Sequence, residues 1–81
     1  VIVAIEIIGW IGAGLILLAY LLLSAGRIPA RSVIYQALNL LGAIAFVINS
    51  GWNGAIPSAA LNVVWAGIAI FALVRMAQVK A

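Results

Sequence analysis

Glu6 is the only acidic residue in this 81-residue chain, which contains no histidine and no cysteine. Side-chain catalysis needs a nucleophile with a base, paired carboxylates or a cluster of metal ligands, and none of these sets can be assembled here. The sequence therefore predicts no catalytic residue, no metal site and no bound cofactor; the chain is not expected to be an enzyme. Glu6 itself has two roles open to it. It could couple to a proton at the bilayer edge, but a carboxylate near a helix N-terminus is already favoured by the helix dipole, and that second reading is preferred. The segment Gly9-Trp10-Ile11-Gly12-Ala13-Gly14 has the glycines of a phosphate loop but no strand before it, so it is read as helix. What remains for recognition is a set of polar and aromatic groups inside apolar runs: Tyr35, Gln36, Asn39, Asn62 and Trp65. Such groups suit a neutral, hydroxyl-rich ligand or a helix–helix contact.

The elements that carry these residues are set by composition. Hydrophobic residues make up 69% of the chain and charged residues 6%, and the mean hydropathy is +1.40; too little polar surface remains for a water-soluble domain. Three apolar runs, over residues 2–25, 32–49 and 57–76, each approach the roughly 20 residues that cross a hydrocarbon core of about 30 Å. Gly26 to Arg31 punctuate the first connection, and Ser32 is suited to cap the second helix. Asn49 to Gly54 make the second connection, and Pro57 fits the first turn of the third helix. The first run is too long for a signal-peptide core and has no basic segment before it, so it is expected to be retained. The expected fold class is an all-α membrane protein, one domain over residues 1–81, built as a three-transmembrane-helix bundle.

Charge orients it. With three spans, Arg27, Arg31, Arg75 and Lys80 fall on one side, and Glu6 with the uncharged second connection on the other. Basic residues flank the cytoplasmic ends of spans, which predicts the N-terminus outside and the C-terminus inside. Trp10 and Trp52 then lie near the outer interface. The four cations are read as topology anchors and head-group contacts, with docking of an acidic partner or anionic lipid by Arg27 and Arg31 as a second role. Four cations in so apolar a chain are not the signature of a nucleic-acid binder. The charge bias and the lack of eukaryotic signals suit the bacterial inner membrane, with the N-terminus periplasmic or extracellular and the C-terminus cytoplasmic.

Within the spans, Tyr35, Asn39, Gly42, Phe46 and Asn49 recur at spacings of four and three, as one stripe of the second helix. Glu6, Gly9, Ala13, Ile16 and Tyr20 recur similarly on the first. On the third, Asn62, Ala66 and Ala69 share a face, with Trp65 beside it. Small residues allow close approach of backbones and amides hydrogen-bond across helix pairs, so packing is the first expectation for these stripes and a solute path the second.

From Gly9 to Met76 the order of features resembles the SemiSWEETs, bacterial PQ-loop half-transporters with three helices per subunit. The resemblance rests on Gly9-Trp10, the basic first connection with Arg27 and Arg31, Gly42 followed by Phe46, and Pro57 leading to Asn62. It implies a parallel homodimer with the N-terminus outside, Asn62 lining a sugar pocket and Phe46 stacking on the sugar. The Pro-Gln pair of that family would fall near Leu22-Leu23, where this chain has neither residue. The stretch from Tyr35 to Gly42 is more similar to a group of bacterial three-helix proteins with a Tyr-Gln-x-x-Asn signature, for which the resemblance implies a fold and no activity. The first functional expectation is therefore a non-catalytic subunit that packs against itself or other membrane-protein subunits, for example in a respiratory or photosynthetic complex. The alternative is a SemiSWEET-like homodimeric carrier of a small neutral solute such as a sugar, acting through Tyr35, Asn39, Asn62 and Trp65.

Overall fold

The structure, a computed structural model, describes the backbone of residues 1–80 and the side chains of residues 1–78; the side chain of Lys80 lies outside the described residues. Three helices follow one another: α1 (Ile2–Ser24), α2 (Val33–Trp52) and α3 (Ile56–Lys80). All three are long and apolar enough to cross a membrane. The longest dimension of the molecule, 41 Å, exceeds a hydrocarbon core of about 30 Å.

Local chemistry sets the ends. Ser32 is extended and its side chain accepts a hydrogen bond from the Tyr35 amide at 3.1 Å, capping α2. α1 and α2 both end in a Schellman turn. After α1, Gly26 N–H donates to the Leu23 carbonyl and Arg27 N–H to that of Leu22, with Gly26 at φ +73°. After α2, Gly54 N–H donates to Gly51 and Ala55 N–H to Ser50, with Gly54 at φ +72°. A Cβ is disfavoured in this left-handed conformation, so glycine stands at both positions. The helix boundaries differ from the sequence reading here. α2 continues past Asn49 to Trp52 because the turn is made by Gly54, while Gly51 stays helical. α3 starts at Ile56, with Pro57 in its first turn as expected, and runs past Met76 to Lys80.

The three helices form an open row. α2 packs against both neighbours, whereas α1 and α3 make no close helix–helix contact among the described residues. Among the described residues the buried hydrophobic ones are Ala19, Ala43, Ala45 and Ala69, and no large side chain is fully buried. Large side chains such as Ile7, Leu17, Leu21, Val63, Ile68 and Phe71 point outward. This inverts the arrangement of a water-soluble core and is the packing expected in lipid, where tight van der Waals approach replaces hydrophobic exclusion.

The tightest approach joins α1 to α2. A Cβ built on Gly12 would stand 2.9 Å from the Ala45 Cβ and 3.1 Å from the Gly42 carbonyl oxygen, and one on Gly42 would meet Ile16 Cγ1 at 2.5 Å and the Gly12 oxygen at 3.1 Å. Gly9, Gly12 and Ala19 are the buried residues of α1, while Glu6 and Tyr20 are exposed. The inner face of α1 is therefore rotated from the expected Glu6, Gly9, Ala13, Ile16, Tyr20 stripe. Apart from Glu6, α1 offers little polar contrast between its sides, so the close fit to α2 selects the face.

Candidate functional site

Because α2 has two neighbours, its predicted stripe is divided between them. Gly42 and Asn49 face α1: Asn49 Nδ2 donates across the interface to the Ile5 carbonyl at 2.9 Å. Asn39 faces α3, where its carbonyl oxygen accepts a long 3.5 Å bond from the Trp65 indole N–H. Near the α2–α3 connection the Ser50 and Ser58 hydroxyls hydrogen-bond at 2.9 Å. Asn39 is 7% exposed, and its Nδ2 donates back to the Tyr35 carbonyl at 2.9 Å. In a low-dielectric setting this satisfies an amide that lipid cannot.

Of the residues singled out from sequence, Phe46, Asn62 and Trp65 come together. With Ile16, Ser58 and Leu61 they line a groove of about 360 Å³ between α1 and α3, on the open side of the row. Tyr35 and Asn39 lie across Trp65 from it, in a smaller cavity of about 120 Å³ completed by Gln36, Ile68 and Ala69. Gly42 lines neither, being committed to the α1 contact. Asn62 Nδ2 donates to the Ser58 carbonyl at 2.9 Å; its side-chain oxygen has no partner among the described residues. Phe46 also borders a second groove of about 290 Å³, formed with Glu6, Gly9, Trp10, Ala13, Asn49 and Asn53. Of the α1 stripe read from sequence, Glu6, Gly9 and Ala13 border one groove and Ile16 the other, while Gly9 and Ile16 also contact α2.

Sequence reasoning missed the groove at the opposite end of the bundle. Arg31, Gln36, Phe71, Ala72, Arg75 and Met76 enclose about 290 Å³ there. Its signal was present in the spacing of Phe71 and Arg75, one helical turn apart; the Arg75 guanidinium lies over the Phe71 ring, 5.8 Å from its centroid. Reading Arg27 with Arg31 as neighbours in sequence obscured that Arg31 shares a groove with residues of α3.

Fold and grooves together define a multi-pass α-helical membrane protein, a three-helix bundle with three candidate spans. A protein-family model matches residues 5–81, nearly the whole chain, and the protein belongs to that family. No curated protein and no solved structure matches it.

Proposed function

We propose that the protein is a non-catalytic membrane subunit whose open face, between α1 and α3, receives a helix from a second copy of itself or from another membrane subunit. The observation that carries this reading is the environment of Asn62. Its amide lies about two turns into α3, roughly 9 Å along the helix, and the residue lines the groove beside Phe46 and Trp65 with its side-chain oxygen unpartnered among the described residues. A polar group at that depth is costly against hydrocarbon and is normally covered by protein or by a water-filled cavity. The side-chain inventory points away from catalysis, since Glu6 is the only acid and no histidine or cysteine is present. Native mass spectrometry of the protein released gently from its own membrane tests the reading: co-migrating subunits or a stable dimer are expected, and a lone monomer in mild detergent would overturn it.

The same groove favours a second reading, a SemiSWEET-like homodimeric carrier of a small neutral solute. The two positions that the resemblance assigns to sugar contact, Phe46 and Asn62, line one groove with Trp65. Against a primary carrier role stand the missing Pro-Gln hinge and the placement of Tyr35 and Asn39 in a different cavity. Flux into proteoliposomes separates the readings. A carrier requires uptake that Asn62→Leu abolishes; a packing subunit requires none.

The proposed orientation has the N-terminus outside and the C-terminus in the cytoplasm of a bacterial inner membrane. It rests on the segregation of Arg27, Arg31 and Arg75 from Glu6 and on the rule that basic flanks stay inside. The absence of native cysteine makes the test clean. In intact cells an impermeant maleimide should label Asn53→Cys and spare Ala30→Cys; the reverse pattern would invert the topology.

A further inference from the structure

Among the described residues, the arginine-lined groove at the end of the bundle opposite Glu6 has no carboxylate partner. Arg31 comes from the connection just before the α2 cap, and Arg75 from the last turns of α3. The Gln36 side chain donates to the Ala30 carbonyl at 3.1 Å, tying the residue before Arg31 to α2, while Arg75 is placed by its stacking on Phe71. The only acidic side chain, Glu6, is in the first turns of α1 and borders a different groove. Two arginines lining one groove bring like charges to the same site, a cost that an anion between or beside them offsets. The guanidinium fork suits a phosphate oxygen pair, in geometry and in charge.

The rest of the wall narrows the choice of anion. Phe71, Ala72 and Met76 give the groove an apolar side on α3, and the outward face of that helix continues with exposed Ile68 and Val64. A free inorganic anion makes no use of such a surface. An amphiphile does, placing its phosphate at the arginines and an acyl chain along α3. Basic pockets between membrane helices bind anionic head groups on these terms. We infer that Arg31 and Arg75 form a specific site for the phosphodiester of an anionic phospholipid. Arg27 belongs to the same connection but does not line the groove, so it serves as the internal control for non-specific charge.

The test is native mass spectrometry of the full chain in a neutral detergent, titrated with phosphatidylglycerol or with phosphatidylcholine of the same acyl chains. The wild-type protein should retain phosphatidylglycerol in preference by on the order of tenfold, and inorganic phosphate at equal concentration should not displace it. Arg31→Gln and Arg75→Gln should each reduce the preference severalfold, whereas Arg27→Gln should leave it in place. Equal retention of the two lipids would overturn the site. So would an Arg27→Gln loss as large as the other two, which would mean general surface charge; displacement by phosphate would mean a free-anion site. The lipid preference and the phosphate competition are read on the wild-type chain, so they decide the matter even where a variant folds poorly.

Discussion

The side-chain amide of Asn49 on α2 occupies the space that a side chain on Gly9 of α1 would fill. A Cβ on Gly9 would lie 2.6 Å from Asn49 Nδ2 and 2.9 Å from its Cγ, and that same Nδ2 donates to the Ile5 carbonyl at 2.9 Å. Glycine makes the notch and asparagine fills it with a hydrogen bond across two helices.

Gly9→Ala should displace the Asn49 amide, a movable group, and forfeit that bond, at a cost of about 0.6 to 2 kcal/mol. Asn49→Leu should cost a similar amount. Because both changes remove one interaction, the double variant should fall short of the sum of the singles. Reversible unfolding in mixed micelles measures all three; strict additivity would mean that the two residues act separately.

Gly12→Ala and Gly42→Ala should be more damaging than Gly9→Ala. Their added methyl groups meet the Ala45 Cβ, the branched Ile16 and backbone oxygens, none of which can swing aside as an asparagine amide can. Overpacking of this kind costs roughly 1 to 3 kcal/mol. The same unfolding assay ranks the variants, and equal stability of Gly9→Ala and Gly42→Ala would contradict the packing described.

Gly14→Ala and Gly67→Ala should leave the stability of the isolated chain unchanged or raise it by up to about 1 kcal/mol. A Cβ at either position has nothing within 4 Å, and alanine restricts the unfolded backbone. A clear loss in the monomer would place unseen contacts at these surfaces.

Gly26→Ala and Gly54→Ala should each cost about 1 to 2 kcal/mol, since both residues hold positive φ to close a Schellman turn. Open space surrounds both, so the loss would come from the backbone alone. Asparagine, which tolerates this region better, should recover part of it; thermal unfolding of Gly54→Ala beside Gly54→Asn provides the comparison.

The three spans were legible because their signal is a sum over some twenty residues, which no single misreading can erase. The Ser32 cap and Pro57 were legible because each acts through its own covalent chemistry. The inner face of α1 was not, since a helix with little polar contrast between its sides carries no periodic signal; its face follows from where Gly12 and Gly42 let two backbones meet. The α2 stripe was misleading in another way. Asn39 and Gly42 share a helix face in projection, yet a central helix divides such a face between two neighbours, and helix order is not written in spacing. Phe46, Asn62 and Trp65 were each singled out by residue type, but their grouping in one groove apart from Tyr35 and Asn39 was not legible in the sequence. Trp65 lines both cavities, and such a shared wall follows from packing and not from spacing along one helix.

The row order of the helices also bears on how the chain assembles during synthesis. Among the described residues, the close helix contacts of α1 and of α3 are all with α2. The first hairpin can therefore reach its final packing before α3 has left the ribosome, with no gap held open for a later strand of chain. Each interface joins segments adjacent in sequence, the arrangement in which ordering costs least and closure is quickest. A chain cut between α2 and α3 should leave a hairpin that is already finished, awaiting an independent third piece.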